Sequence, residues 1–155
     1  MYKSKLRKMT TVNTYLTFNG NCEEAFGFYQ AAFGGEFQSF TKFSDMPPDP
    51  KYPMSEEEMN KVMHASLPIS KECSLMGSDT GGAWAASFKQ GNNFSVSIGT
   101  DTKDEADRLF KTLSAGGQVV MPMETTFWDS YFGMFTDKYG IQWMVSFYDP
   151  KRQKK

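Results

Sequence analysis

Asn13-Thr-Tyr-Leu-Thr-Phe18, followed by a Glu/Ala/Phe-rich segment ending in Ala32-Phe33-Gly34-Gly35, has a counterpart eighty residues later. There Asn93-Phe-Ser-Val-Ser-Ile98 leads into an Asp/Ala/Leu-rich segment ending in Ser114-Ala115-Gly116-Gly117. Leu16 and Phe18 alternate with Asn13, Tyr15 and Thr17, and Phe94, Val96 and Ile98 alternate with Asn93, Ser95 and Ser97, the period of a half-buried strand. After each strand, apolar residues recur at steps of three and four: Ala25, Phe26, Phe28, Tyr29, Ala32 and Phe33 in one copy, Ala106, Leu109, Phe110 and Leu113 in the other. Asn21 before the first run and Asp101 or Thr102 before the second can cap, and Gly-Gly closes each helix. The pattern predicts one strand–helix unit used twice, with a groove between the copies in which a ligand would be sought.

Working outward, Glu36–Phe43 reads as the second strand, and Lys61–Ile69 and Glu72–Ser78 as a hairpin about Ser70-Lys71. Met63, Ala65, Leu67 and Ile69 are expected on its core face, with His64 and Ser66 opposite. Between them, Ser44–Met54 carries four prolines and leads into Ser55-Glu-Glu-Glu58, which can start a short helix; so long a loop suits a lid or binding element. Val119–Met121, Tyr131–Thr136 and Ile141–Phe147 supply the last strands, with Trp143, Val145 and Phe147 expected in the core. The order is β-α-β-β-β, twice, an α+β fold. The expected organisation is a basic N-terminus at residues 1–10, a single domain at 11–148 and a basic tail at 149–155. Its modules lie at about 11–79 and about 92–148.

Seventeen basic and eighteen acidic side chains leave a net charge of −1, which gives no global field for nucleic acid or an anionic membrane. No run of about 18 apolar residues is present, and the basic first residues lead into no apolar signal region, so a cytoplasmic, soluble protein is expected. Cys22 and Cys73 make no metal or redox motif and are read as reduced, structural thiols.

The tandem order resembles the vicinal oxygen chelate superfamily of glyoxalase I, fosfomycin- and bleomycin-resistance proteins and extradiol dioxygenases. Asn19-Gly-Asn-Cys-Glu-Glu-Ala-Phe-Gly-Phe-Tyr29, Met63-His-Ala65, Met76-Gly-Ser-Asp79, Gly116-Gly-Gln-Val-Val-Met-Pro122 and Thr126-Phe-Trp128 resemble its PhnB-like branch. Some members of that branch carry the label 3-demethylubiquinone methyltransferase. The resemblance implies two βαβββ modules forming an incomplete barrel, completed in a homodimer. It also implies a divalent metal held by His or Glu from four strands. The positions it points to are occupied here by Asn13 or Thr14, Ser74 or Met76, Asn93 and Met144, with Glu72 nearer the mouth.

One histidine in the whole chain cannot build the His-rich sites that Zn, Fe or Ni favour, so no cofactor and no tightly held metal are expected. Small-molecule binding is the leading expectation. The alternative is a glyoxalase-, isomerase- or dioxygenase-type enzyme with a weakly held divalent metal or acid–base catalysis by His64, Glu124 being its candidate partner. Tyr15, Ser66, Ser95, Ser97, Gln142 and Met144 are the expected ligand-facing residues. Trp128 and Tyr131, in the connection at 123–131, are expected to supply apolar walls with polar tips. A methyltransferase is not expected, because no glycine-rich loop after a strand of a parallel sheet offers a place for S-adenosylmethionine.

Overall fold

The structure is a computed structural model and describes residues 10–149; the basic segment at 1–9 and the tail at 150–155 lie outside the described residues. The elements are β1 (Thr14–Phe18), α1 (Cys22–Phe33), β2 (Ser39–Lys42), α2 (Glu56–Met59), β3 (Val62–Pro68) and β4 (Ser74–Asp79). They are followed by β5 (Val96–Thr100), α3 (Lys103–Ser114), β6 (Gln118–Thr125), β7 (Ser130–Thr136) and β8 (Gln142–Tyr148). Two four-stranded sheets result, in the orders β1-β4-β3-β2 and β5-β8-β7-β6. In each, the opening strand runs parallel to the closing one and the remaining pairs are antiparallel. The doubled β-α-β-β-β order is therefore present, with α2 inserted into the first copy. The described residues form two compact units: residues 24–33 of α1, with Gly34, belong with 87–149, while Cys22 and Glu23 stay with β1 to β4.

In the first unit, Leu16, Phe18, Ala65, Leu67 and Leu75 are buried. A correction concerns Met63. The pairing steps from Thr41 opposite His64 to Lys42 opposite Val62, so β3 carries one extra residue there. Such a bulge reverses the alternation beyond it: Val62 is fully buried, and Met63 is only half-buried. Asp79 ends β4, 6% exposed, and accepts backbone N–H bonds from Gly20 at 3.0 Å, Cys22 at 2.9 Å and Val62 at 2.9 Å. That carboxylate ties the β1–α1 turn and the start of β3 to the sheet.

In the second unit, α3 is capped by the Thr102 hydroxyl, which accepts from the Glu105 N–H at 3.2 Å. Its Ala106, Leu109 and Leu113 are buried, and Phe110 meets Phe135 edge-on at 5.1 Å between centroids. Trp143 and Val145 are core, as expected, while Phe147 is half-buried. From α1, Tyr29 and Phe33 pack on Trp143 at 5.5 and 5.9 Å. The connection expected at 123–131 is also corrected. β6 runs on to Thr125 and β7 begins at Ser130, leaving a tight turn whose closure the Thr126 side chain provides by donating to the Ser130 carbonyl at 2.9 Å. Asp129 takes φ 60° there.

Candidate functional site

Strand pairing places Tyr15, Met76, Ser66 and Ser39 in one row across the first sheet, and Thr17 beside Ser78 in the next. Adjacent paired residues project to the same side, so these side chains share the face opposite Leu16, Ala65 and Leu67. His64 lies on this face, opposite Thr41. Its Nδ1 is 3.4 Å from the Tyr15 hydroxyl, and the two rings stack with centroids 5.8 Å apart and planes inclined by 21°. Tyr15 is 48% exposed and His64 half-buried, so a phenol and an imidazole are presented together to an incoming molecule. Ser66, in the adjoining row, is buried.

The proline-bearing loop adjoins this face. α2 begins in a capping box: Ser55 Oγ accepts from Glu58 N–H at 3.2 Å, and Glu58 Oε2 accepts from Ser55 N–H at 2.9 Å. Tyr52, Pro53 and Met54 separate two cavities. One, of about 640 Å³, is lined by Met46, Pro47, Met59 and Met63, so the bulge that takes Met63 out of the core brings it here. The other, of about 950 Å³, reaches the Thr17–Ser78 row and is lined by Lys51, Lys61 and Trp84. The irregular prolines mark the loop in the sequence, but Tyr52, Met54, Met63 and Trp84 were not identified as lining residues. For Tyr52, Met54 and Trp84 the available signal is apolar character in otherwise polar, turn-rich segments, whereas Met63 lies in β3, where alternation points it to the core.

Of the residues expected in the second unit, Ser97 pairs with Met144, and Met144 with Met134, in one row. Gln142 and Glu124 lie on that same face by alternation, Glu124 exposed on the edge strand β6 opposite Phe132. Ser95 lies just before β5, and Trp128 sits in the β6–β7 turn against Phe127 at 4.7 Å. Tyr131 is placed differently from expectation. It pairs with Phe147 on the α3-facing side, its hydroxyl donates to Asp107 Oδ1 at 2.5 Å, and Lys103 Nζ lies 4.6 Å from its ring centroid. The bond to the Asp107 carboxylate, with burial and the same negative charge, pushes its phenol up to about 12. A raised acid favours its protonated form in the fold. Its stabilising effect is therefore complete below the unfolded phenol value of about 10 and is lost as pH rises through about 12. A tyrosinate absorbance titration of Tyr131→Phe should lack one phenol that titrates near 12 in the parent; an unchanged curve would remove the Asp107 contact.

A family model described as 3-demethylubiquinone-9 3-methyltransferase matches residues 10–146. Protein PA1353 of Pseudomonas aeruginosa is 38% identical, with a TM-score of 0.76 over 90% of this chain and 98% of its own. The PhnB protein of Bacillus cereus is 25% identical, with a TM-score of 0.67 over 89% and 99%. A glyoxalase/bleomycin resistance protein/dioxygenase family enzyme of Burkholderia phytofirmans, 16% identical, shares the fold at a TM-score of 0.58 over 87% and 95%. The chain belongs to the PhnB-like family of that model, and it shares its fold with glyoxalase/bleomycin resistance proteins of the vicinal oxygen chelate superfamily that the sequence resembles.

The metal implied by that superfamily does not fit the residues present. Asn13 precedes β1, and its Oδ1 accepts the Ser74 N–H at 2.9 Å, which ties the chain ahead of β1 to β4. Asn93 is exposed and outside β5, and Met144 offers only a thioether. Among the described residues, no group of three or more His, Cys, Asp or Glu is placed to hold a metal ion. Neutral amides, hydroxyls and thioethers make a poor donor set for Zn, Fe or Ni. Cys22 is fully buried, and burial first, then the Asp79 charge, raises its thiol well above the usual range, so it is no thiolate ligand at neutral pH. Nor does S-adenosylmethionine fit. β1 is followed by Asn19-Gly20-Asn21 with a single glycine, and each sheet has only one parallel pair. No helix among the described residues is long and apolar enough to cross a membrane.

Proposed function

We propose that this PhnB-like protein binds a small organic molecule against the Tyr15/His64 face of its first sheet without a tightly held metal. The proline-bearing loop supplies the apolar side of the site. The observation carrying this reading is the phenol–imidazole pair at 3.4 Å, on the sheet face whose Thr17–Ser78 row lines a cavity of about 950 Å³ with largely apolar walls. A few convergent polar groups in a mostly apolar concavity are what small-molecule sites are built from. Thermal-shift screening against small oxygenated organics tests it. A true ligand at 100 times its dissociation constant adds about 2.7 kcal/mol, which raises Tm by about 5–10 °C for a chain of this size. Tyr15→Phe and His64→Ala should each weaken that ligand about fivefold, the loss of roughly one hydrogen bond. Ligands that stabilise parent and variants equally would place binding elsewhere.

The same pair favours a second reading, in which His64 moves a proton to or from the bound molecule while Tyr15 orients it. Glu124 lies on β6 of the second unit, and this reading does not require it. The two readings separate on one variant. A general acid–base role predicts a loss of about 10²-fold or more in turnover for His64→Ala with binding largely retained, whereas a binding role predicts no turnover in either protein.

A further inference from the structure

The larger cavity of the first unit carries a charge pattern that a purely apolar ligand would not use. Four charged side chains line it: Lys51, Lys61, Glu58 and Asp79. Both carboxylates are already held by the protein. Asp79 accepts three backbone N–H bonds. Glu58 accepts from the Ser55 N–H and is bonded as well by the Gly82 backbone. The lysines are not: neither ammonium forms an ion pair with a described residue, and only a longer-range attraction to Glu58 touches Lys61. The cavity thus offers two lysines free to pair with a ligand, and two carboxylates that stay charged but whose oxygens are already engaged by backbone N–H groups. Its walls also carry aromatic surface, with Tyr52 71% and Trp84 77% exposed, and exposure of that order is unusual for rings of this size. Thr17 and Ser78 add hydroxyl donors from the adjoining sheet face.

We propose that this cavity selects planar organic anions, stacking them on Tyr52 and Trp84 and pairing their negative group with Lys51 and Lys61. The inference rests on the reading of a small-molecule site on the first sheet and narrows its ligand to aromatic carboxylates, sulfonates or phenolates. An ammonium at the edge of an aromatic wall favours a delocalised anion over its neutral isostere, and its reach is limited by salt. Lys51 and Lys61 are specificity residues in this scheme and take no part in any proton transfer.

Two fluorescent probes that share a scaffold but differ in charge test it on the full chain. Anilinonaphthalene sulfonate carries the anion, and N-phenylnaphthylamine is its neutral counterpart. The sulfonate should bind with energy transfer from tryptophan that falls in Trp84→Phe. Its affinity should drop roughly tenfold in the Lys51→Gln/Lys61→Gln double variant and weaken with added salt. The neutral probe should change less than about twofold under both treatments. If the two probes respond alike, or neither responds to the lysines, anion selection is overturned while the small-molecule reading stands. If neither probe binds, or transfer is indifferent to Trp84, the cavity itself is refuted as a site. The small-molecule reading fails separately, when Tyr15→Phe and His64→Ala leave every stabilising ligand unaffected.

Discussion

Asp137→Ala is expected to lower unfolding stability by about 3–5 kcal/mol, a large part of the roughly 5–15 kcal/mol a domain of this kind possesses. The carboxylate is 3% exposed and saturated. Oδ2 accepts the Tyr29 hydroxyl at 2.6 Å and the Trp143 indole N–H at 2.8 Å. Oδ1 accepts the backbone N–H groups of Tyr139 at 2.8 Å and Ile141 at 3.0 Å. Truncation leaves buried donors from α1, from β8 and from the β7–β8 turn without an acceptor, and a buried unsatisfied donor costs about 1–3 kcal/mol. Asp137→Asn is expected to lie between parent and alanine: its carbonyl can serve the turn, but its amide nitrogen cannot accept from the indole. Tyr29→Phe, which deletes one donor together with its need for a partner, should cost about 1 kcal/mol. Urea midpoints at constant slope measure the series. Equal costs for Asp137→Ala and Tyr29→Phe would mean that water replaces the carboxylate.

The same aspartate shows what a sequence can and cannot disclose. Tyr29 is 108 positions from Asp137, and Asp79 binds partners 57 and 59 positions away, so no local pattern announces either carboxylate. The helices were legible because their signals are local: the capping Asn21, the apolar spacing and the closing Gly34-Gly35 bracket Cys22–Phe33, the span of α1. Strands were legible as elements but less so in detail. Alternation gave Trp143 and Val145 correctly, yet one extra residue in β3 was enough to send Val62 inward and Met63 outward. Tyr131 was misplaced for a related reason. Its face follows from register, since pairing with Phe147 puts it beneath α3, and register depends on where the β6–β7 turn closes. Of the candidate site, the resemblance drew attention to Met63-His-Ala65, and alternation put Tyr15 and His64 each on the side of its own strand away from the core; that the two meet follows from the β1–β4–β3 register. The cavity walls at Tyr52, Met54 and Trp84 lie in segments without a period, where sequence has no geometry to offer.

The duplicated Gly-Gly pairs supply the second large effect, because identical dipeptides perform different physical tasks. Gly34 and Gly35 both take positive φ, 77° and 79°, and a Cβ at either would meet no atom within 4 Å. Gly34 is needed for backbone conformation alone, where its N–H closes on the Gln30 carbonyl at 2.7 Å, and Gly34→Ala should cost about 1–2 kcal/mol. Gly116, at φ 75°, repeats that role. Gly117 does not. A Cβ there would collide with the Thr136 carbonyl oxygen and lie 2.9 Å from both the backbone carbon and Cα of Asp137. These are atoms of the β6–β7 pairing and of the turn that holds Asp137, and no rotamer change can move them aside. Relief requires Gln118 to separate from Thr136, its partner in register, so the strain reaches the carboxylate network as well. Gly117→Ala is therefore expected to cost at least about 3 kcal/mol, at or beyond the upper end for overpacking, and more than Gly34→Ala. In the Asp137→Ala background its cost should fall, because residues sharing a backbone shift do not add independently. Strictly additive losses in the double variant would show that β6 yields at Gly117 without disturbing the turn.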